Sequence, residues 1–156
     1  MPASPVSGGA GLPAAAATGH FSFNGEALVG VSGFVAIGVG GAIGCWCRYG
    51  LGVLFNPLFP TVPLGTLAAN LTGGLLMGVA LGLFRNIQAI SPELQLFVMT
   101  GFLGGLTTFS TFSAEATNLL LRQQYLWFGG HVLLHLAGSL GMTVLGLTLT
   151  RSLLRH

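Results

Sequence analysis

The chain has 156 residues, of which 52% are hydrophobic and only 5% are charged, and its mean hydropathy is +0.82. Its five basic residues are all arginines and it has only three acidic residues, which is too little charge to cover the surface of a water-soluble domain. The arginines are scattered singly, so the composition excludes a nucleic-acid-binding protein and indicates a membrane protein.

Residues 1–33 differ in kind from the rest of the chain. They are rich in Ala, Gly, Pro and Ser and contain neither Arg nor Lys. A secretory signal peptide would need a basic start, and the prolines at positions 2, 5 and 13 also argue against one. The composition therefore predicts a flexible N-terminal tail, and an upstream mis-assigned start would leave the same pattern.

Four apolar windows are long enough to cross a hydrocarbon layer of roughly 30 Å, which takes about 20 residues of helix. Ser91-Pro92 has the pattern of a helix N-cap followed by proline, so the third helix is predicted to open near Leu94. An even number of spans puts both termini on one side of the membrane. The predicted transmembrane domain is residues 34–154, with spans at about 34–55, 64–84, 94–121 and 126–150.

The third span contains a polar, glycine-rich interruption between Gly101 and Phe112. In hydrocarbon such a break is costly unless its freed backbone groups line a cavity. We therefore predict an all-α membrane protein with four transmembrane helices, the third broken near its middle. The break is the first candidate for a binding site.

Charge and small residues both bear on assembly. Arg85, Arg151 and Arg155 fall on the side of the termini and Arg122 on the other side, a bias that is too small to fix one orientation. We expect a chain that can insert either way up. Small residues on the first two spans favour close helix approach and hence an oligomer; they are Gly38, Gly40, Gly41, Gly44, Gly73, Gly74, Gly78 and Gly82.

Three polar side chains fall at membrane depth, where each is a candidate functional group or a packing device. Arg48 either reaches the interface, bonds carbonyls at a neighbouring helix end, or attracts an anion. Asn70 offers two amide donors, which either join helices or hydrogen-bond a dehydrated anion. Glu115 is equally compatible with proton coupling, with capping of donors and with pairing to Arg48.

A polar stripe runs along the last span. His131 and His135 have an i, i+4 spacing that can chelate zinc. Because no carboxylate or cysteine of that helix completes a ligand set, we favour a polar pathway or interfacial lining over a metal site. Ser139 and Thr143 continue the stripe, which suggests a polar track; the alternative is that these hydroxyls bond the carbonyls four residues earlier.

Sequence signatures of enzymes are missing from the chain. It has no Gly-x-Ser-x-Gly, P-loop or Cys-x-x-Cys sequence, and its three acidic residues are few, so an enzyme is not expected. Cys45 and Cys47 are two apart on a helix, so their side chains diverge and a mutual disulfide or metal pair is not expected.

Phe109 and Phe112 lie three residues apart and share a helix face, with hydroxyl side chains around them. Most such pairs only pack a core, but a phenylalanine ring has a positive edge that can stabilise a small anion weakly. The flanking glycines and threonines favour the second interpretation.

Three segments together resemble the signature sequences of the CrcB/Fluc family of fluoride channels, in the family's order and spacing. The resemblance covers about residues 34–154, and the third segment is the most specific. The segments are Gly40-Gly41-x-x-Gly44-x-x-x-Arg48-Tyr49, Gly65-Thr66-Leu67-x-x-Asn70-x-x-Gly73 and Gly101-Phe-x-Gly104-Gly105-x-Thr107-Thr108-Phe109-Ser110-Thr111-Phe112.

This resemblance implies a passive, fluoride-selective channel, built as an antiparallel dual-topology homodimer with two pores in the inner (plasma) membrane of the cell. Such an assembly would account for the small arginine bias. The resemblance also implies a central structural Na⁺, held by the backbone carbonyls of Gly104 and Thr107 of both subunits. The carbonyl ends of broken helices suit a cation.

The same resemblance implies roles for individual residues. The chain departs from the family pattern at His131 and His135, where a tyrosine and a small hydroxyl residue are more usual, and these histidines could add pH sensitivity. The matching positions are the pore asparagine Asn70, the pore phenylalanines Phe109 and Phe112, the polar track of the last helix at Ser139 and Thr143, the vestibule arginine Arg48, and the third-helix glutamate Glu115.

Ion hydration suggests how such a channel would select its ion. Fluoride is small and strongly hydrated, so a selective path has to replace its water with several donors, and a narrow, preformed path would exclude chloride by size. Hydrogen fluoride that enters from an acidic exterior dissociates in the cytosol, and the trapped anion would leave down its electrochemical gradient without ATP. The expected donors are the Asn70 amide, the hydroxyls of Ser139, Thr143 and Thr108 or Ser110, and the ring edges of Phe109 and Phe112.

Two other classes of protein remain as alternatives. A proton-coupled small-molecule exporter of the small dual-topology four-helix type would want a central carboxylate early in the chain, and the first two predicted spans contain none. A purely structural membrane subunit would carry no flux.

Overall fold

The computed structural model describes residues 30–59, 61–87 and 90–154, and the regular structure in these ranges is helical throughout. The part of the predicted tail at residues 1–29 lies outside the described residues. The helices are α1 (Val31–Phe55), a short 3₁₀ turn (Asn56–Leu58), α2 (Leu64–Asn86), α3a (residues 92–106), α3b (Phe109–Leu121) and α4 (Tyr125–Leu153).

Four helical segments are long and apolar enough to cross a membrane when α3a and α3b are counted together across their break. This confirms the predicted all-α class and the four spans. The helix ends differ by a few residues, because the apolar pattern locates a span better than it locates its caps. α1 begins at Val31, inside the segment predicted as tail, and α4 continues to Leu153.

The first half of the third span begins as predicted. The side chain of Ser91 accepts a hydrogen bond from the Leu94 backbone N–H at 3.2 Å, and Pro92 occupies the first helical turn. From Leu96 to Leu103 the helix is π-helical, a wider winding that is rare and is frequently found at functional sites. The sequence showed no sign of this winding.

The break itself occupies only part of the polar, glycine-rich segment. Gly101 and Gly104 are helical, and only Thr107 and Thr108 have extended backbone, with ψ angles of 156° and 114°. The predicted break near the middle of the third span is thus located at Thr107 and Thr108, inside the polar, glycine-rich segment from Gly101 to Phe112. Two consecutive extended residues are enough to separate α3a from α3b.

The glycines serve close packing of helices instead. A methyl group at Gly44 of α1 would overlap the Phe102 carbonyl of α3a, and one at Gly78 of α2 would overlap the Thr143 carbonyl of α4. The main helix pairs are accordingly α1 with α3a and α2 with α4. The predicted close approach is confirmed at Gly44 and Gly78, whereas Gly38 meets no atom within 4 Å.

Candidate functional site

Asn70, in the first half of α2, fixes the backbone of the break. Its Oδ1 accepts a hydrogen bond from the Thr108 N–H at 2.8 Å, and its Nδ2 donates to the Thr108 carbonyl at 3.1 Å. One side-chain amide thus replaces both backbone partners that Thr108 would have in a continuous helix. Nδ2 also lies 3.0 Å from His135 Nδ1. The predicted joining of helices by Asn70 is confirmed, and its contact with an ion stays a prediction.

Two carbonyls at the break lose their helical donors. The Thr108 N–H, which would bond the Gly104 carbonyl in a continuous helix, donates to Asn70. The Thr111 N–H, which would bond the Thr107 carbonyl, donates to Thr108 Oγ1 at 3.1 Å. The carbonyls of Gly104 and Thr107 are those expected to hold a cation, so the arrangement of the backbone fits that expectation.

Arg48 reaches the end of α3a. Its Nε donates to the Gly105 carbonyl at 3.0 Å, and its Nη2 lies 3.6 Å from Cys45 Sγ. Of the three alternatives for this side chain, bonding to carbonyls at a neighbouring helix end is confirmed. Cys45 and Cys47 are both free and exposed.

A cavity of about 440 Å³ lies beside the break. It brings together residues that are separate in the sequence and come from α2, the third span and α4. Of the residues predicted for an anion pathway, those that line it are Asn70, Thr108, Phe109, Phe112, Ser139 and Thr143. Ser110 is not among its lining residues, but its hydroxyl lies 3.2 Å from Thr108 Oγ1.

The two phenylalanines of the predicted pathway have different surroundings. Phe112 is 6% exposed and Phe109 is 73% exposed, with ring centroids 5.4 Å apart and planes inclined at 56°. Phe112 is stacked against His131 and His135, with centroid distances of 5.3 Å and 4.8 Å. A ring that stacks through its face keeps its positive edge available for another partner.

The hydroxyl track on α4 is partly engaged with its own helix. Thr143 Oγ1 donates to the Ser139 carbonyl at 2.9 Å, so the alternative in which a hydroxyl bonds the carbonyl four residues earlier is confirmed for Thr143. Both side chains still line the cavity. Thr143 can therefore present lone pairs to the cavity more readily than its proton.

Glu115 of α3b contacts Thr66 and His131. Its Oε1 accepts a hydrogen bond from Thr66 Oγ1 at 2.6 Å, and its Oε2 lies 3.6 Å from His131 Nε2. Capping of a donor is thus confirmed and pairing with Arg48 is wrong, because the Arg48 side chain is turned toward the Gly105 carbonyl. Proton coupling by Glu115 stays a prediction.

The histidines of α4 face the interior of the bundle. His131 is 1% exposed and His135 is 3% exposed, and their ring centroids are 4.4 Å apart. His135 lines the 440 Å³ cavity and His131 does not. The expected polar lining is therefore confirmed for His135 alone.

Comparison with known proteins identifies the family. The family model described as CrcB-like protein, Camphor Resistance (CrcB), matches residues 35–147. This chain belongs to the CrcB family. The resemblance in the sequence is confirmed.

Similar members of the CrcB family are named fluoride-specific ion channel FluC. The protein from Nitrosospira multiformis is 55% identical over 128 residues, which are 82% of this chain and 100% of that protein. The protein from Cupriavidus taiwanensis is 54% identical over 125 residues, covering 80% of this chain and 99% of the relative. The protein from Pseudomonas putida is 52% identical over 113 residues, covering 72% and 89%.

Sequence reasoning on this CrcB-family chain missed Thr66. Thr66 precedes Asn70 by one helical turn, so both lie on the same face of α2, and this spacing could have indicated that Thr66 also meets the third span. The sequence held no comparable sign that Glu115 would face His131. The two residues lie on different helices, and the turn between these helices contains Gln123 with a φ of 58°. The direction of such a turn cannot be inferred from the spacing of residues along one helix.

Proposed function

We propose that this CrcB-family chain is a fluoride-selective passive ion channel and not an enzyme. The observation that carries the proposal is the cavity at the break of the third span, which is lined by an amide, hydroxyls and two phenylalanines. These groups offer hydrogen-bond donors and ring edges to a small anion at membrane depth. The names of the similar family members support fluoride as that anion.

In the proposed mechanism fluoride exchanges its water for groups of this chain. Both amide hydrogens of Asn70 have protein partners, so an anion that binds Nδ2 replaces His135 and leaves the bond to Thr108 in place. The Ser139 hydroxyl and the edges of Phe109 and Phe112 supply further contacts. A path with several weak contacts admits an ion without holding it too tightly.

We further propose that the working unit is an antiparallel, dual-topology homodimer. In the single chain, Gly104, Phe109 and Ser110 are exposed although they lie at the break. A break with irregular backbone is tolerated at membrane depth only where protein or a water-filled cavity covers it. A second copy of this chain would cover it, and the small arginine bias supports insertion in both orientations.

A structural Na⁺ at the break would fit this assembly. The carbonyls of Gly104 and Thr107 would hold it, because the N–H groups that normally bond them are engaged elsewhere. When bound, the cation would offset the partial negative charge at the carboxyl end of α3a. Asn70 and the Thr108 hydroxyl accept hydrogen bonds from these N–H groups and so leave the two carbonyls available to a cation.

The proposed direction of transport is out of the cytoplasm across the inner (plasma) membrane. Hydrogen fluoride that crosses the bilayer dissociates in the near-neutral cytosol, which leaves the anion inside at high concentration. A passive channel then lets fluoride leave down its electrochemical gradient. Fluoride resistance of the cell would follow without coupling to ATP.

The purified chain in liposomes is expected to release fluoride faster than chloride by at least about 100-fold, a difference of about 2.7 kcal/mol. The reason is that a path built for a small anion gives chloride too few contacts. Efflux is measured with fluoride- and chloride-selective electrodes, with protein-free liposomes as the control. Equal rates for the two anions would contradict the proposal. Proton-driven transport of an organic cation that is lost in Glu115→Gln would support the exporter instead.

Replacement of Na⁺ by a large organic cation during purification is expected to weaken the dimer or to silence fluoride efflux. The large cation cannot approach the carbonyls of Gly104 and Thr107 as closely as Na⁺. The measurements are the elution volume in size-exclusion chromatography and the fluoride efflux of the same preparation, with Na⁺ added back as the control. An unchanged dimer with unchanged efflux would show that the cation site is wrongly assigned.

A further inference from the structure

Glu115, His131 and His135 converge from two helices on one buried point. Glu115 comes from α3b and both histidines come from α4. Taking one ligating atom from each residue, these atoms all lie within 4.8 Å of one another. The sequence predicted no metal site because the search for a third ligand stayed within the helix of the histidines. The third ligand comes from the neighbouring helix.

Each of these side chains has a buried polar atom that makes no hydrogen bond. Among the described residues, Glu115 Oε2, His131 Nε2 and His135 Nε2 make no hydrogen bond. A buried polar atom without a hydrogen-bond partner lowers the stability of the folded protein. Such an atom is explained if an ion binds it in the functional protein. Three side chains with such atoms, whose ligating atoms lie within 4.8 Å of one another, favour a single common ligand.

We propose that Glu115, His131 and His135 bind a divalent metal ion of the zinc class. Two imidazoles and one carboxylate are a ligand set of catalytic and open zinc sites, in which a fourth position is left for water or another small ligand. Imidazole favours Zn²⁺, Ni²⁺ or Cu²⁺ over Mg²⁺ and Ca²⁺, which prefer oxygen ligands. The site is separate from the carbonyls that are expected to hold Na⁺.

The distances require only a small contraction. Two ligands at about 2.0–2.2 Å from a tetrahedral zinc ion lie about 3.3–3.6 Å from each other. Glu115 Oε2 and His131 Nε2 are already 3.6 Å apart. The separations that involve the third ligand are no more than 4.8 Å, so this ligand would have to approach by about 1 Å to complete a tetrahedral site.

An outer-shell contact supports the carboxylate. Thr66 Oγ1 donates to Glu115 Oε1 at 2.6 Å, which leaves Oε2 as the oxygen that faces the histidines. Ligating carboxylates are normally held by such a hydrogen bond. Because one carboxylate leaves a net charge of +1 on a divalent ion, an anionic fourth ligand such as hydroxide would stabilise the site further.

Metal binding changes the contact of His135 with Asn70. The two bonds of Asn70 to Thr108 fix its amide, so that the donor Nδ2 faces His135 Nδ1 at 3.0 Å. A neutral imidazole that binds a metal through Nε2 carries its proton on Nδ1, and two donors would then face each other. The His135 ring therefore has to turn away from Asn70 when the metal binds. This makes His135 the weaker of the two histidine ligands.

A titration with Co²⁺, followed by displacement with Zn²⁺, tests the site independently of ion transport. The parent protein carries His20→Gln, His156→Gln, Cys45→Ser and Cys47→Ser and no polyhistidine tag, so that His131 and His135 are its only imidazoles. We expect one Co²⁺ per chain, with the intense visible absorption of a four-coordinate ion, and stoichiometric displacement by Zn²⁺.

Single substitutions identify the ligands. We expect His131→Gln and Glu115→Gln to weaken binding by more than the roughly 10- to 100-fold that loss of an outer-shell partner costs. Thr66→Val removes only the hydroxyl that bonds the ligand Glu115, so the affinity for the metal should fall by a factor within that range. Thr117→Val is the matched control, because its hydroxyl bonds the Ser113 carbonyl on the exposed side of α3b.

A second measurement does not depend on the folding of any ligand variant. Zn²⁺ is expected to raise the thermal unfolding midpoint of the parent protein and Mg²⁺ is not, because an ion that binds only the folded state stabilises it. The proposal is overturned if Co²⁺ keeps the weak spectrum of the hydrated ion, if folded His131→Gln binds as tightly as the parent, or if Zn²⁺ leaves the midpoint unchanged.

Discussion

Phe112→Ile is expected to reduce fluoride efflux by about 100-fold or more, which corresponds to about 2.7 kcal/mol in the barrier. Isoleucine keeps a buried apolar side chain but has no ring edge to meet an anion. It also removes the stacking of Phe112 on His131 and His135. The measurement is fluoride efflux from liposomes at matched protein density, with the elution volume in size-exclusion chromatography as the test of assembly.

Phe84→Ile is the matched control for this substitution. Phe84 is a partly buried phenylalanine of α2 that packs against the core and is not among the residues lining the cavity. Both substitutions remove a similar volume, so a general loss of packing would lower efflux in both. Efflux that is unaffected by Phe112→Ile would remove the ring edge from the mechanism. Equal losses in both variants would assign the effect to packing.

Asn70→Ala is expected to destabilise the protein by about 2–6 kcal/mol and to abolish fluoride efflux. The substitution leaves the N–H and the carbonyl of Thr108 without their partner, and each buried backbone group that loses its hydrogen bond costs about 1–3 kcal/mol. Without the amide, the extended backbone at Thr108, which lines the cavity, loses the side chain that fixes it, so the path for the anion is expected to be lost. The measurements are thermal unfolding in detergent and efflux from liposomes.

Asn118→Ala is the control for loss of an asparagine side chain. Asn118 lies on the exposed side of α3b, away from the cavity, and its replacement is expected to change stability by less than about 0.5 kcal/mol. If Asn70→Ala unfolds at the same temperature as Asn118→Ala and conducts fluoride normally, Asn70 does not organise the break. A stable Asn70→Ala protein without efflux would instead favour direct contact between the amide and the ion.

The sequence was sufficient for features that depend on local composition. The spans follow from runs of apolar residues, and the start of α3a at Ser91 follows from a cap whose chemistry acts within one helical turn. The position of the break was also predictable, because polar and small residues between Gly101 and Phe112 oppose a lipid-facing helix. These features can be predicted without knowing which helices pack against each other.

Features that depend on pairing between helices were not predictable from local patterns. The glycine-rich segment marked the position of the break, but it gave no sign that Gly101 and Gly105 lie within helix and give α1 room to approach. For Glu115 the sequence left proton coupling, capping of donors and pairing with Arg48 equally open, and the structure places it against Thr66 and His131. Neither feature could be predicted, because a single sequence does not show which helix faces are in contact.

The alternating pairing of the helices has a consequence for biosynthesis. α1 packs mainly on α3a, and α2 packs mainly on α4. The glycine-rich faces of the first two helices therefore pack against helices that are synthesised later. A nascent chain that has released only α1 and α2 into the bilayer cannot build either main contact. The contact of α2 with α4 extends to Gly146 of α4, where a methyl group would overlap the Leu75 carbonyl. The bundle is therefore expected to assemble only when α4 has entered the membrane, and chains truncated before Gly146 should be substrates for membrane quality control.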